Sequence, residues 1–94
     1  MIWMRSTYQY SKTLAVFAND DTGCPYGTAT VYLQGQSDRL PRDCAFVDTN
    51  NWPDVIEKLE AAGLAEVLDE VCGVSGFCTY PAMKFDLSKI PEVK

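Results

Sequence analysis

The 94-residue sequence has no histidine. Without imidazole there is no Ser–His or Cys–His nucleophilic pair, and the commonest general base is missing. Cys24, Cys44, Cys72 and Cys78 include no C-x-x-C pair. With no His to complete a tetrahedral set, neither a zinc site nor any cofactor is expected. No apolar run approaches the roughly 18 residues of a membrane span. The first residues, Met1-Ile-Trp-Met-Arg-Ser6, lack a charged leader followed by an apolar stretch. The expectation is a cytoplasmic protein with four reduced thiols. One disulfide stays open, Cys72–Cys78, should those residues face each other across a hairpin.

Basic residues are also scarce. Eight Lys and Arg stand against 13 Asp and Glu, for a net charge of −5. The imbalance is local. Residues 1–42 carry Arg5, Lys12, Arg39 and Arg42 against Asp20, Asp21 and Asp38, a net of +1. Residues 43–70 hold eight acids and one base, Lys58, a net of −7. Binding nucleic acid needs clustered Lys and Arg, so direct DNA or RNA binding is not expected. An acidic stretch suits a protein partner with a basic surface.

What is present is a globular composition, 47% hydrophobic and 12% aromatic, in a chain of one-domain length, residues 1–94. Residues 1–11 permit a strand, with Tyr8 and Tyr10 alternating with Thr7, Gln9 and Ser11. Residues 13–18 are rich in Leu, Val and Phe and read as a strand. The run Asn19-Asp-Asp-Thr-Gly-Cys-Pro-Tyr-Gly27 is a loop of turn formers. Residues 28–34 alternate, with Ala29, Val31 and Leu33 on one face and Thr28, Thr30, Tyr32 and Gln34 on the other. That is a half-buried antiparallel strand, closing a hairpin with residues 13–18.

Residues 35–42 form a polar loop, and Cys44-Ala-Phe-Val47 reads as a short inner strand. A helix is expected over 52–62. Asn51 caps it, Pro53 is tolerated in its first turn, and Gly63 stops it. Trp52, Val55, Ile56, Leu59 and Ala62 make its apolar stripe. Phe46 and Leu59 are expected to join the central strand to the helix. Residues 64–72 carry competing periods. Leu64, Val67, Leu68 and Val71 fit a helical stripe, whereas the valines and the glycines that follow fit a strand and tight turn. Residues 77–87 read as a strand. Pro81 cannot donate a ladder bond, so this strand should be an edge or carry a bulge. Residues 88–94 read as a polar tail. The fold expected is α+β, a small antiparallel sheet of four to five strands with one amphipathic helix packed on one face.

Few residues suggest chemistry. Gly73-Val-Ser-Gly-Phe77 is not a nucleophile elbow, because Phe holds the last position and no triad base exists. Asn19-Asp-Asp-Thr-Gly23 lacks the acid spacing and closing Glu of a calcium loop. Asp54, Glu57 and Glu60 fall within one 120° arc of the expected helix, at 100° per residue. They form a convex, solvated strip, whereas catalytic acids need a concave and partly dry setting. Such a strip is the wet face of an amphipathic helix or an acidic docking face. In the docking reading the partner-binding residues are Asp48, Asp54, Glu57, Glu60, Glu66, Asp69 and Glu70.

At Ala29-Thr-Val-Tyr-Leu33, Leu40-Pro-x-x-Cys-Ala-Phe-Val-Asp-Thr-Asn-Asn51 and Ser75-Gly-Phe-Cys-Thr-Tyr-Pro81 the chain resembles an uncharacterised small-protein family. Its members are carried by conjugative elements and prophage-like islands of gut bacteria. The match spans residues 14–87. In similar sequences residues 64–72 look more polar and contain Pro and Gly, which shifts the balance there to strand or loop. The resemblance carries over no catalytic residues and implies only a context. Small acidic proteins of mobile elements often bind a host defence protein, as anti-CRISPR and antirestriction proteins do. The expectation is therefore a non-enzymatic protein-binding module. Its acidic face would compete with nucleic acid on a host defence complex, with the module monomeric or homodimeric. The alternatives are a self-associating structural or assembly protein, and a cysteine- or carboxylate-dependent enzyme.

Overall fold

The computed structural model describes residues 2–8 and 13–93, apart from the side chain of Glu70. The part of the first expected strand that falls on residues 9–11 lies outside the described residues. β1 (Ile2–Thr7), β2 (Leu14–Asn19) and β3 (Pro25–Thr28) form one antiparallel sheet in that order. β4 (Thr30–Val31), β5 (Cys44–Val47), β6 (Ala65–Ser75) and β7 (Cys78–Phe85) form a second, in the order β4-β5-β7-β6. One helix, α1 (Val55–Ala61), precedes β6. The α+β class holds, but the strands divide between two sheets of three and four instead of forming one.

The chain changes sheet at Ala29. Its N–H donates to Val16 O at 2.8 Å, and its carbonyl accepts from Asp48 N at 2.8 Å. The alternating stretch 28–34 is therefore not one strand. Its first residue closes the hairpin on β2, and Thr30–Val31 pairs with β5. Thr30 was expected on the polar face, yet it is buried. Its hydroxyl accepts from Val16 N at 3.0 Å and shares a 3.1 Å hydrogen bond with the Tyr8 phenol. A buried hydroxyl is tolerable because it is bonded on both sides.

The main core lies among the two sheets and α1. Leu14, Val16 and Ala18 of β2, Ala45 and Val47 of β5, Val55 and Leu59 of α1, and Met83 and Phe85 of β7 all belong to it. Alternation explains the split of β5. Ala45 and Val47 face this core, whereas Phe46 joins Leu33, Tyr80 and Ala82 in a second, smaller cluster. The expected contact between Phe46 and Leu59 is thus corrected. Both are buried, in different clusters on opposite faces of β5.

The helix begins three residues later than expected. Asp48, not the helix, takes the cap residue. Its carboxylate accepts Asn51 N–H at 3.2 Å and Asn51 Nδ2 at 2.9 Å. Trp52 donates its N–H to Asp48 O and stacks on Trp3, ring centroids 5.5 Å apart and 8° from parallel. The apolar stripe survives at Val55 and Leu59. The stop is as read. Gly63 has φ +71°, Gly63 N donates to Glu60 O, and Leu64 N donates to Leu59 O. That double bond pattern closes the last turn and drops Leu64 into the core beside Leu59.

Residues 65–75 form a strand, interrupted where the two periods competed. Val67 faces Met83 and Cys72 faces Pro81, so four residues, 68–71, stand opposite Ala82 alone. β7 is an inner strand, and Pro81 sits past its last pair with β5 and beside this bulge, where no regular ladder is interrupted. The same register separates Cys72 from Cys78, whose partner is Ser75. The two cysteines are offset by three positions, roughly 10 Å along the strand, and point to opposite faces. A bridge would need Cα atoms within about 7 Å, so the hairpin excludes it. All four thiols are free.

The polar tail is not loose. Ile90 is buried in the main core, Arg5 N donates to Pro91 O, and Val93 N donates to Arg5 O, both at 2.8 Å. Arg5 also reaches Ile90 O at 2.8 Å and Glu92 at 3.1 Å. Residues 90–93 therefore cover the outer edge of β1.

Candidate functional site

Two groups of exposed side chains lie at the two ends of the β6–β7 ribbon. One end adjoins α1. Val55 and Leu59 anchor the helix in the core, and that anchoring turns Glu57 and Glu60 to solvent. Asp54, the residue before α1, is exposed too and pairs with Lys58 at 3.7 Å, an exposed i,i+4 contact of small energetic weight. Glu66 follows on β6, exposed and directly opposite Lys84. Glu66, Asp43 and Asp86 line a groove of about 580 Å³ beside Gly63 and Lys84. Asp43 and Asp86 were not singled out in the sequence, because nothing local marks them as neighbours of Glu66. The Asp86 carboxylate is held below its ordinary pKa, first by the Ser88 hydroxyl bond.

The structure distributes the sequence-predicted acids unevenly. Glu57 and Glu60 lie on α1, Asp54 immediately precedes it, and Glu66 follows in the strand after it. Asp48 is half-buried and spends both carboxylate oxygens on Asn51, so it shapes the turn. Asp69 is exposed within the four-residue bulge. Glu70 is in β6 by its backbone, and its side chain lies outside the described residues.

The other end is the hairpin turn at Gly76 and Phe77, between the paired residues Ser75 and Cys78. Gly76 has φ +60°, a conformation that a side chain at this position would strain. Phe77 is 108% exposed and Val74 53%. The strand expected over 77–87 began at Phe77, whereas β7 begins at Cys78. The turn lifts Phe77 off both faces. The Gln36 side-chain amide caps the edge of β6 here, donating to Val74 O and accepting from Val74 N, each at 2.9 Å.

Cys44 and Asp20 are both engaged within the fold. Burial pushes the Cys44 thiol up to about 11, helped by its bond to Asp43, which is the reverse of a reactive thiol. In the 19–23 loop, Asp20 Oδ1 already accepts from Thr22 N, Thr22 Oγ1 and Cys24 N, so its lone pairs fix a turn. Among the described residues no three potential ligands converge on a metal position. None of their helices is long and apolar enough to cross a membrane.

A protein-family model described as a domain of unknown function, DUF4313, matches residues 4–94. No curated protein and no solved structure matches the chain.

Proposed function

The chain belongs to the DUF4313 family, and from that premise we propose that it is a non-enzymatic, cytoplasmic protein-binding module. Its docking face is the acidic side of α1, continued by Glu66, and its partner carries a basic surface. The finer reading is an inhibitor from a mobile element that occupies the nucleic-acid-binding surface of a host defence complex. Only the resemblance at residues 29–33, 40–51 and 75–81 supports that context.

One observation carries the docking reading. Asp54, just before α1, and Glu57 and Glu60 on it are exposed, the helix's opposite side is locked into the core by Val55 and Leu59, and Lys58 pairs with Asp54. A rigid row of like charges contributes little to folding. It raises the encounter rate with a basic surface, an effect that salt screens. The test is a pull-down from host lysate at low and high salt with the wild type and the Asp54→Lys, Glu57→Lys, Glu60→Lys triple variant. The variant should stay folded and lose the partner, and wild-type capture should fade with salt. Equal capture by both proteins would leave the strip as solvated surface.

A second reading, self-association, is favoured by Phe77. Sheet-edge pairing is a poor route to it. Residues 90–93 cover β1, a bulge and the Gln36 amide interrupt β6, β3 begins at Pro25, and β4 has two residues. An apolar contact at the hairpin tip would serve instead. Sedimentation of the wild type and Phe77→Ser over micromolar concentrations separates the readings, since tip-mediated association disappears in the variant.

A further inference from the structure

β3 carries a bulge. Ala18 faces Gly27 and Asn19 faces Pro25, so Tyr26 is the extra residue with no partner on β2. A bulge re-aims the side chain it carries. The Tyr26 ring, 55% exposed, is directed to Trp52, with centroids 5.3 Å apart and planes 51° apart. Trp52 also stacks on Trp3. Gly27 leaves the approach open, since a Cβ there would lie 3.3 Å from the Trp52 ring. Tyr26, Gly27, Thr28, Asn51, Trp52 and Asp54 enclose a cleft of about 340 Å³, within the size range of small-ligand pockets, roughly 300–1,000 Å³. Aromatic surface and an exposed carboxylate thus meet in one concavity, at the start of the acidic helix.

We propose that this cleft receives an arginine side chain of the partner, with the guanidinium against the Tyr26 ring and forked to the Asp54 carboxylate. The inference rests on the acidic docking reading and names the contact that would give it specificity. Three features select a guanidinium. A planar cation stacks on an aromatic face, its fork matches a carboxylate, and it is less strongly hydrated than an ammonium. Asn51, whose Nδ2 donates to Asp48, also lines the cleft. The Asp54–Lys58 pair, exposed and 3.7 Å long, is a weak competitor.

The probes are labelled hexa-arginine and hexa-lysine peptides, followed by fluorescence anisotropy at moderate salt. Near-UV circular dichroism serves as the fold control. Wild type should bind hexa-arginine more tightly than hexa-lysine. Tyr26→Ala should weaken hexa-arginine about fivefold to tenfold, down to the hexa-lysine level, and Tyr26→Phe should retain the preference. Asp54→Asn should reduce the preference as well. If Tyr26→Ala and Asp54→Asn both keep the arginine preference, the cleft is not the arginine site. The acidic docking reading then still stands, provided that the Glu57→Lys, Glu60→Lys variant weakens both peptides. If wild type binds neither peptide, the docking reading and this inference fall together. An unfolded Tyr26→Ala would leave the decision to Asp54→Asn, whose side chain is exposed.

Discussion

The two ends of the β6–β7 ribbon are built from the same two strands and differ in what lies beneath and above them. At the α1 end, residues 65–67 pair with residues 83–85 over the main core, and the exposed side chains alongside are mostly acids. At the tip end, residues 72–75 pair with residues 78–81 over a cluster of only four buried residues, and the exposed side chains include Phe77 and Val74. Residues 68–71 separate the two halves by breaking the ladder. The difference teaches that the ribbon is two supports joined by a bulge. The thick end holds a charged surface rigid, and the thin end projects an apolar one. Charge on a rigid support acts at a distance and is tuned by salt, whereas a projecting phenyl acts on contact.

The sharpest way to break this comparison is to empty each core separately. Phe46→Ala should cost about 3–5 kcal/mol and Leu59→Ala about 2–5 kcal/mol, read from urea midpoints. Amide exchange should then separate them. Phe46→Ala should speed exchange around Gly73 and Tyr80 most, and Leu59→Ala around α1 and Ala65. Equal loosening at both ends in both variants would mean that the bulge does not divide the ribbon. A smaller effect is expected at Gly73, where an added Cβ would run into Leu33 Cδ1 and lie 3.1 Å from Phe46 Cε1 and Cζ. Gly73→Ala should cost about 1–3 kcal/mol as overpacking and should fall on the tip end.

The alkaline limit sharpens the same picture from inside the second sheet. The folded state holds the Cys44 proton more tightly than the unfolded chain, with a pKa raised from 9.0 to about 11. The corresponding stability is fully present below pH 9 and is lost as pH rises through about 11. Burial raises the Tyr8 phenol in the same direction from 10.0, which extends the loss upward. Stability measured from pH 8 to 11 should therefore fall, and Cys44→Ala should flatten the first part of the slope. An unchanged slope would remove Cys44 from the account.

Much of this molecule was legible in its sequence where one local rule acted alone. The Leu-, Val- and Phe-rich β2, the all-apolar β5 and the Gly63 stop are such cases. Misreadings arose where a distant partner overrode the local pattern. Trp52 looked like the first stripe residue of a helix, but its ring stacks on Trp3 and the helix waits until Val55. Thr30 looked like a wet-face residue, but the change of sheet at Ala29 buries it against Val16 and Tyr8. Residues 88–94 looked like a tail because Ile90 is the one large apolar residue before Val93, and the edge of β1 that receives them is 85 residues away. The acids of α1 were legible through helical spacing. The Tyr26–Trp52–Asp54 cleft was not, because a bulge and a stack assemble it from separate segments.

The central claim is that the α1 end, not the hairpin tip, is the binding end. Amide chemical shifts of the isotopically labelled protein, titrated with hexa-arginine peptide at low and high salt, test it most directly. The account predicts shifts concentrated at Gly27, Thr28, Asp54, Glu57 and Glu60, fading as salt rises. Shifts concentrated at Val74, Gly76 and Phe77 and unchanged by salt would contradict it.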